Sequence, residues 1–275
     1  MSHRWTCLLG HPLGHTLSPA LHNAAFAALG IDAHYEARDV APADLAASVQ
    51  AMRDPTCLGG NVTAPHKQAV LPLLDETSEV VRALGAANTV IHRTGRLRGD
   101  NTDAPGLARW MTEAGIPVQN STALVLGAGG AARATVWALT QLGAARVRVV
   151  NRTPERAERL VRELCSERGS WGPLNEAAEP AVEPWAIVVN ATSLGHDGLA
   201  PRVHPSCYSP QSVAIELAYN PPVTGFMEAA RAAGARAENG LGMLLHQAAL
   251  AFECWTGQRP PFEVYEAALA EGRRA

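Results

Sequence analysis

The chain has 275 residues, which is long enough for two modest domains that each bury a core. Its 47% hydrophobic and 18% charged residues are typical of a globular protein, and a net charge of −3 with a pI near 6.4 excludes a basic surface for nucleic acid. The N-terminal apolar run is broken too soon for a signal sequence or a membrane span, so we expect no membrane association.

Cysteines and histidines argue against a disulfide framework or a metal site. The five cysteines lie far apart without a C-x-x-C pair, so reduced thiols are the expected state. Pro12 and Gly14 prevent His11 and His15 from sharing a helical face, and no H-E-x-x-H motif occurs. We therefore predict a cytoplasmic protein that binds no metal ion.

The N-terminal third alternates between strand and helix patterns, which indicates an α/β sheet. Strands are predicted over residues 5–9, 33–38 and 58–62, and helices over 18–29 and 43–53. No internal repeat or low-complexity tract interrupts the alternation.

Ser18 and Pro19 form a helix-start signal, with serine as the cap and proline at the first helical position. On this segment alone, capping is sufficient to explain Ser18. The alternative is that the hydroxyls of Thr16 and Ser18, beside a helix N-terminus, hold a carboxylate.

Lys67 is the first catalytic candidate. The third strand leads into N-V-T-A-P-H-K, where Pro65 predicts a helix start and places Lys67 in the first turn. The positive pole of the helix dipole destabilises an ammonium there. A residue that breaks a local rule is a candidate for function, and the alternative is an ordinary exposed lysine.

A polar stretch precedes the middle of the chain. A helix is predicted over residues 77–84 and a hairpin-like return over 96–99, followed by Asp100, Asn101, Thr102 and Asp103. Asp103 precedes a predicted helix over 104–114 and could be its cap. The four polar side chains are, however, more than one cap requires.

Residues 122–153 predict one strand–turn–helix–strand unit. An apolar strand over 123–126 leads into G-A-G-G-A-A, a helix to Leu142, a stop at Gly143 and a second strand over 147–150. Gly127 allows a tight turn, Gly129 allows the backbone to approach a pyrophosphate, and Ala132 allows close helix–strand packing. The helix N-terminus then presents free N–H groups to the phosphates. The alternative is an ordinary strand–helix turn.

The end of the second strand indicates NADP(H) rather than NAD. An NAD site usually has an acidic residue here for the ribose hydroxyl, whereas this chain has Asn151, Arg152 and Thr153, then Arg156. A guanidinium pairs with a 2′-phosphate, which an acid would repel. The alternative is a solvated basic face.

The remaining elements continue the α/β pattern. They are a charged helix from Arg156 to about 167, a loop over 170–184, strands over 186–190, 213–217 and 235–237, and helices over 224–233 and 241–255. Strands 186–190 and 213–217 end in polar or small residues, at the edge where open α/β sheets bind ligands. Met243 and Gln247 lie one turn apart on the last helix.

Taken together, these motifs resemble the shikimate dehydrogenase family over nearly the whole chain. The matching stretches are T-L-S-P (16–19), N-V-T-A-P-H-K (61–67), A-N-T (87–89), G-D-N-T-D (99–103), G-A-G-G-A (127–131), N-R-T (151–153), N-A-T-S (190–193) and N-G-L-G-M (239–243). The N-V-T-x-P-x-K and G-D-N-T-D pair is specific, whereas many dehydrogenases share the glycine motif.

The resemblance implies a set of site residues. The catalytic pair would be Lys67 and Asp103. Substrate binding would fall to Thr16, Ser18, Thr63, Asn88, Tyr219 and Gln247. Cofactor binding would fall to Gly127, Ala128, Gly129, Gly130, Ala131, Asn151, Arg152, Thr153, Arg156, Thr192, Leu217, Gly240 and Met243.

The resemblance also implies a fold and a reaction. It implies two α/β domains: a substrate domain over 1–103 plus 240–275, to which a C-terminal helix returns, and a Rossmann-type NADP-binding domain over 104–239. The reaction would be the reversible NADPH-dependent reduction of 3-dehydroshikimate to shikimate, in chorismate and aromatic amino-acid biosynthesis. The expected partner is this small-molecule substrate, and the expected state is a monomer or homodimer.

Two residues depart from the family pattern, and alternatives remain open. Thr16 stands where serine is usual, and Glu216 where aspartate is common, so the placement of Leu217 and Tyr219 is less firmly anchored. A quinate/shikimate dehydrogenase of broader specificity, possibly using NAD, is one alternative. A non-catalytic NADP-sensing module is another. A folate-type dehydrogenase lacks any supporting feature.

Overall fold

A computed structural model describes residues 3–14, 16–195 and 199–272 of the chain. His15 lies outside the described residues. The strands are β1 (Arg4–Gly10), β2 (Ala33–Asp39), β3 (Cys57–Val62), β4 (Glu76–Thr77), β5 (Thr89–Arg93), β6 (Arg96–Asp100), β7 (Thr122–Leu126), β8 (Arg146–Asn151), β9 (Gly169–Pro173), β10 (Ile187–Asn190), β11 (Val213–Glu216) and β12 (Arg236–Glu238). The helices are α1 (Ser18–Ala28), α2 (Leu45–Ala51), α3 (His66–Ala69), α4 (Glu79–Leu84), α5 (Asp103–Glu113), α6 (Gly130–Gln141), α7 (Pro154–Leu164), α8 (Gly225–Ala232), α9 (Leu241–Thr256) and α10 (Phe262–Gly272).

The chain divides into two compact units, Met1–Thr102 with Leu245–Ala275, and Asp103–Leu244. The predicted α/β fold with two domains and a returning C-terminal helix is confirmed. The return falls inside α9 rather than at residue 240. The first turn of α9 stays with the second unit because Met243 packs against that unit's core.

The first unit contains a mixed sheet with the strand order β2-β1-β3-β5-β6-β4. Strands β1, β2 and β3 are parallel, whereas β5 runs antiparallel to both β3 and β6. One face of the sheet packs on an aliphatic core that includes Leu9, Met52 and Val90. Ring contacts join Phe26 of α1 to Phe252 of α9, so the returning helix is part of this unit's core.

The second unit contains a parallel sheet with the strand order β12-β11-β10-β7-β8-β9. This is the doubly wound dinucleotide-binding arrangement, in which the strand order reverses between β7 and β10. From β7 the chain adds β8 and β9 on one side, and it then adds β10, β11 and β12 on the other. Ala123 and Val125 of β7 face one hydrophobic core, and Leu124 and Leu126 face another. Burial on both faces explains why β7 is a continuous apolar run rather than an alternating one.

Several sequence expectations need correction. Ser18 is the first helical residue rather than the cap, since Leu17 occupies the cap position. Helix α4 starts after Ser78, whose hydroxyl accepts a hydrogen bond from the N–H of Val81. The segment predicted as a loop over 170–184 contains most of β9 and a 3-10 helix, Leu174–Ala178. Strand β9 was missed because its sequence, G-S-W-G-P, lacks an alternating apolar pattern.

Neither α10 nor β4 was predicted from the sequence. Helix α10 begins directly after Pro261, which is the helix-start signal that could have predicted it. Strand β4 has only two residues, too few to show any periodicity.

Candidate substrate and cofactor sites

Several segments of the first unit meet at one edge of its sheet. Strands β1 and β3 are parallel neighbours, so the residues that follow them lie at the same edge. Two backbone bonds tie these ends together: the N–H of Thr63 donates to the carbonyl of Leu9 at 2.8 Å, and that of His11 to Ala64 at 3.0 Å. The loop that carries Thr16 and the turn that carries Thr63 therefore share a rigid base.

Asn88 and Thr102 reach the same edge through antiparallel pairing. In the register of β3, β5 and β6, Asn61 lies opposite Thr89, and Thr89 opposite Asp100. Asn88 therefore precedes β5 at the point where β3 ends. Its amide oxygen accepts from the N–H of Thr102 at 2.7 Å, and its amide nitrogen donates to the hydroxyl of Thr102 at 3.1 Å.

A buried polar cluster, formed by Tyr35, Asn61, Asn88, Thr89 and Thr102, lies beneath this edge. Tyr35 donates its hydroxyl to Oδ1 of Asn61 at 2.9 Å, and Nδ2 of Asn61 donates to the hydroxyl of Thr89 at 3.2 Å. Each of the five residues is at most 6% exposed. Desolvation raises the pKa of Tyr35 well above its usual value, so its phenol remains a hydrogen-bond donor.

Sequence reasoning had assigned a role only to Asn88 within this cluster. The signal for the others was weak but visible: Asn61 is an amide in an otherwise apolar strand, and two threonines flank the predicted hairpin. Buried polar side chains in such positions need partners within the fold. These partners lie 14 to 28 residues away along the chain, which local patterns cannot reveal.

Lys67 lies in the first turn of α3, as predicted, and is partly buried. Its backbone carbonyl accepts from the N–H of Ala87 at 2.8 Å, which fixes the lysine segment beside the segment that carries Asn88. Of the 23 lysine and arginine residues in the sequence, Lys67 is the only lysine. Arginine cannot give up its proton in a protein, whereas lysine can, so among these 23 residues only Lys67 is able to donate a proton.

The polar stretch after β6 serves several structural purposes. The carboxylate of Asp100 accepts from the hydroxyl of Ser78 at 2.7 Å, and Nδ2 of Asn101 donates to the carbonyl of Ala86 at 3.0 Å. With Thr102 bonded to Asn88, three of the four residues have clear roles in the fold. Asp103 is the first residue of α5 rather than a cap that precedes it.

Thr16 bonds to the first residue of α1 but does not occupy the cap position of the helix. The hydroxyl of Thr16 accepts from the N–H of Ser18 at 3.3 Å, and both side chains are partly buried. The cap position expected for Ser18 belongs to Leu17. Of the implied substrate ligands, Gln247 on α9 lies in the first unit, whereas Tyr219 lies in the second, where desolvation raises its pKa.

The glycine turn of the second unit follows β7, at the point where the strand order reverses. Gly127 has φ +107°, and a Cβ on it would lie 2.9 Å from the carbonyl oxygen of Ala191, which follows β10. Only glycine therefore suits this position. A Cβ on Gly129 or Gly130 would meet nothing within 4 Å, so this side of the turn is open at the start of α6. The predicted tight turn is confirmed.

The basic residues that follow β8 are exposed. Arg152, Thr153 and Arg156 lie at the start of α7, at the same edge of the sheet as the glycine turn. Asn151 donates from Nδ2 to the carbonyl of Thr153 at 2.9 Å, which shapes the turn that carries the two arginines. Both guanidinium groups are therefore accessible to an anion from solvent.

The remaining cofactor candidates surround the ends of β10 and β11. Gly240 contacts the backbone of Leu217 so closely that a Cβ would lie 2.0 Å from its carbonyl oxygen. Leu217 and Met243 are partly buried against the core, and Thr192 donates its hydroxyl to Oδ1 of Asn190 at 2.7 Å.

Beyond these two sites, the described residues contain neither a metal-binding cluster nor a membrane-spanning helix. No group of three His, Cys, Asp or Glu residues within the described ranges could hold a metal ion. A groove of about 440 Å³ in the second unit is lined by Thr122 and Arg146 at the amino ends of β7 and β8, away from the glycine turn. None of the described helices has the length and hydrophobicity that a membrane crossing requires.

Known proteins place the chain in a family. The model of the shikimate dehydrogenase substrate binding domain matches residues 8–90, that of shikimate/quinate 5-dehydrogenase matches 110–202, and that of the shikimate 5′-dehydrogenase C-terminal domain matches 240–270. The shikimate dehydrogenase (NADP(+)) of Geobacillus kaustophilus is 44% identical over 259 residues, covering 92% of each chain. The chain belongs to the shikimate dehydrogenase family. The family resemblance seen in the motifs is thus confirmed.

Solved structures of this family share the fold over the full length. Shikimate 5-dehydrogenase from Thermus thermophilus, in complex with NADP(H) and shikimate, is 39% identical with a TM-score of 0.88, covering 98% of this chain and 99% of that one. Quinate dehydrogenase from Corynebacterium glutamicum, in complex with NAD, is 30% identical with a TM-score of 0.89 at the same coverage. The fold therefore does not distinguish the two substrates or the two cofactors.

Proposed function

We propose that this chain is an NADP-dependent shikimate dehydrogenase, an oxidoreductase that acts on a CH–OH group. It interconverts 3-dehydroshikimate and shikimate, a reaction of aromatic amino-acid biosynthesis. The observation that carries the proposal is the position of Lys67, the only lysine of the chain, at the sheet edge where the loop of Thr16, the turn of Thr63 and the amide of Asn88 converge.

The chemistry explains why this residue is a lysine. Reduction of a ring ketone adds a hydride to the carbon and a proton to the oxygen. Bound NADPH supplies the hydride from C4 of its nicotinamide ring. Lys67 donates the proton to the carbonyl oxygen and recovers it from the alcohol in the reverse direction, and Asp103 is the second member of the catalytic pair. An electrostatic clamp alone could equally be an arginine, whereas proton transfer could not.

Hydroxyl and amide side chains hold the substrate. The ring hydroxyls and the carboxylate of shikimate need several donors and acceptors in fixed positions. These come from Thr16, Ser18, Thr63, Asn88, Tyr219 and Gln247. The buried polar cluster supports this set because its bonds fix the side chain of Asn88 before any ligand binds.

The second unit fits NADP in two respects. Gly129 and Gly130 leave open space at the start of α6, where backbone N–H groups would face a pyrophosphate. Arg152 and Arg156 are exposed beside it and pair with a 2′-phosphate. The set is completed by Ala128, Gly129, Gly130, Ala131, Asn151, Thr153, Thr192, Leu217, Gly240 and Met243.

Two alternatives make different predictions. A quinate-oxidising enzyme that uses NAD shares the fold, but the two arginines favour NADP. A non-catalytic NADP sensor would not need Lys67, the one position where the chain keeps a lysine. A cytoplasmic location and a monomeric or homodimeric state are part of this proposal, and the free cysteines support the location.

A spectrophotometric assay tests the proposal directly. Shikimate and quinate are each supplied with NADP⁺ and with NAD⁺, and kcat/KM is measured from the absorbance of the reduced cofactor. We expect shikimate with NADP⁺ to exceed each other combination by at least about tenfold, the factor that 1.4 kcal/mol provides. Faster turnover of quinate with NAD⁺ would favour the first alternative, and no turnover with any pair would favour the second.

A further inference from the structure

A glutamate is completely buried at the end of β11. Glu216 is 0% exposed and lies opposite Asn190, the last residue of the neighbouring strand β10, which is also 0% exposed. A buried carboxylate is costly unless its oxygens accept hydrogen bonds. Within the described ranges, no lysine, arginine or histidine forms an ion pair with Glu216. Hydrogen-bond donors alone therefore compensate the burial of its carboxylate.

Three donors converge on this carboxylate. Nδ2 of Asn190 and the hydroxyl of Thr224 donate to Oε2 at 2.8 and 3.0 Å, and the N–H of Ala218 donates to Oε1 at 3.1 Å. Thr224 also caps α8 by accepting from the N–H of Met227. Glu216 thus links the ends of β10 and β11 to the start of α8.

The links continue to the residues proposed to surround the nicotinamide ring. Oδ1 of Asn190 accepts from the hydroxyl of Thr192 at 2.7 Å and from its N–H at 3.1 Å. These two donors determine the orientation of the Asn190 amide, so its nitrogen must face Glu216. On the other side, the bonded N–H of Ala218 lies between Leu217 and Tyr219 in the chain.

We propose that Glu216 is a positioning residue for hydride transfer, which fixes Thr192 and the Leu217–Tyr219 segment on the two sides of the nicotinamide site. The inference rests on the proposed function. Because Glu216 is 0% exposed, it acts through Asn190 and the backbone of Ala218 rather than by direct contact. Active-site geometry that is loose by about 1 Å lowers rates strongly, which gives such a residue a kinetic effect.

Replacing the carboxylate by an amide shows how the effect is transmitted. A glutamine at this position has one oxygen for three incoming donors, and its NH₂ group faces a donor. If the Asn190 amide turns to accept from that NH₂ group, its own nitrogen faces the N–H and hydroxyl of Thr192. Glu216→Gln therefore moves Thr192 or leaves a donor unpaired, whereas Glu216→Asp keeps two acceptor oxygens.

The test compares Glu216→Gln, Glu216→Asp and the control Glu176→Gln. Glu176 belongs to the same unit, pairs with Arg148 and lines the groove away from the glycine turn. Each variant is measured for kcat, for the Kd of NADP⁺, and for the Kd of adenosine 2′,5′-bisphosphate, which contains the part of NADP that the arginines bind but no nicotinamide.

We expect Glu216→Gln to lower kcat at least tenfold and to raise the Kd of NADP⁺, while the Kd of adenosine 2′,5′-bisphosphate stays within twofold. Glu216→Asp should lie between this variant and the wild type, and Glu176→Gln should match the wild type. An unchanged kcat in Glu216→Gln, or equal weakening of both ligands, overturns the inference. If Glu216→Gln does not fold, the same comparison is made with Glu216→Asp, where equal losses for both ligands overturn it. A wild-type enzyme that does not turn over shikimate overturns the proposed function instead.

Discussion

The two candidate sites are built from different materials. At the sheet edge of the first unit, side chains from distant segments meet above a buried polar cluster, and each amide or hydroxyl has a partner. In the second unit, at the point where the strand order reverses, the turn consists mainly of glycine. Gly127 has a left-handed conformation, and arginines are exposed beside the turn. The first site depends on polar side-chain atoms, whereas the glycine turn of the second depends on residues that lack a Cβ.

This difference predicts which kind of substitution should damage each site. A site formed by side chains is damaged when one polar atom is removed, because its buried partner loses a hydrogen bond. A site formed by backbone is damaged when a methyl group is added, because the chain cannot give way. Substitutions of one or a few atoms can therefore test whether the first site is sensitive to the loss of a polar atom and the second to the addition of a methyl group.

The largest effect is expected for Lys67→Arg. The substitution keeps the positive charge but removes the ability to transfer a proton, so kcat should fall by about 10²–10⁴. NADP⁺ binding should not change, because the residues proposed to hold it lie in the second unit. Steady-state kinetics and fluorescence titration of NADP⁺ measure the two effects.

Because Lys67 is the only lysine, an amine-reactive reagent offers a control. It should modify one side chain, and saturating shikimate should protect that side chain from modification. If Lys67→Arg retains wild-type kcat, Lys67 is a clamp rather than a proton donor.

Gly127→Ala should have the next largest effect. A residue with φ +107° and a Cβ 2.9 Å from the carbonyl oxygen of Ala191 is strained, and we expect a loss of about 1–3 kcal/mol in the free energy of unfolding. Gly129→Ala is the matched control, since its Cβ would meet nothing within 4 Å. That variant should keep its stability and lose affinity for NADP⁺. Equal stability of both variants in urea unfolding would contradict the backbone rule.

Thr102→Val tests the buried polar cluster. It replaces a hydroxyl with a methyl group and leaves the amide nitrogen of Asn88 without the acceptor at 3.1 Å. We expect a loss of about 1–2 kcal/mol in unfolding free energy, together with a raised KM for shikimate. Thr112→Val, on an exposed face of α5, is the control and should change stability by less than about 0.5 kcal/mol. Equal effects of both substitutions would show that the cluster has no special role.

The smallest effect concerns pH. His22 is completely buried against Tyr35, and desolvation lowers its pKa from 6.5 to about 3. Below pH 6.5 the unfolded chain binds a proton at His22 that the folded protein does not, so stability falls as pH decreases towards 3. Between pH 6.5 and 5.5 this amounts to roughly 1 kcal/mol. His22→Phe, which keeps a ring against Tyr35, should remove this part of the pH dependence in urea unfolding, and parallel pH curves for the two proteins would refute it.

The linear order of motifs was sufficient to predict the family, the two-domain α/β plan and the glycine turn. Gly127 and the run of β7 are local signals, since a turn and a doubly buried strand leave their pattern in adjacent residues. Elements without such a pattern were missed: β9 is irregular in composition, and β4 has two residues. The cap of α1 was misassigned because serine followed by proline is a common helix-start signal, and only the backbone geometry shows that Leu17 occupies the cap position.

The sequence by itself predicted which residues do the chemistry here: one lysine among many arginines, a glycine turn suited to phosphates, and two arginines where an NAD site usually has an acid. The tertiary structure alone decided how those residues are held, through the partners of Asn88 in the buried polar cluster and the three donors around Glu216. The physical reason is range. Dihedral preferences and hydrophobic periods act between neighbours in the chain, whereas a buried polar group can be satisfied by a partner 26 residues away, as Asn190 satisfies Glu216.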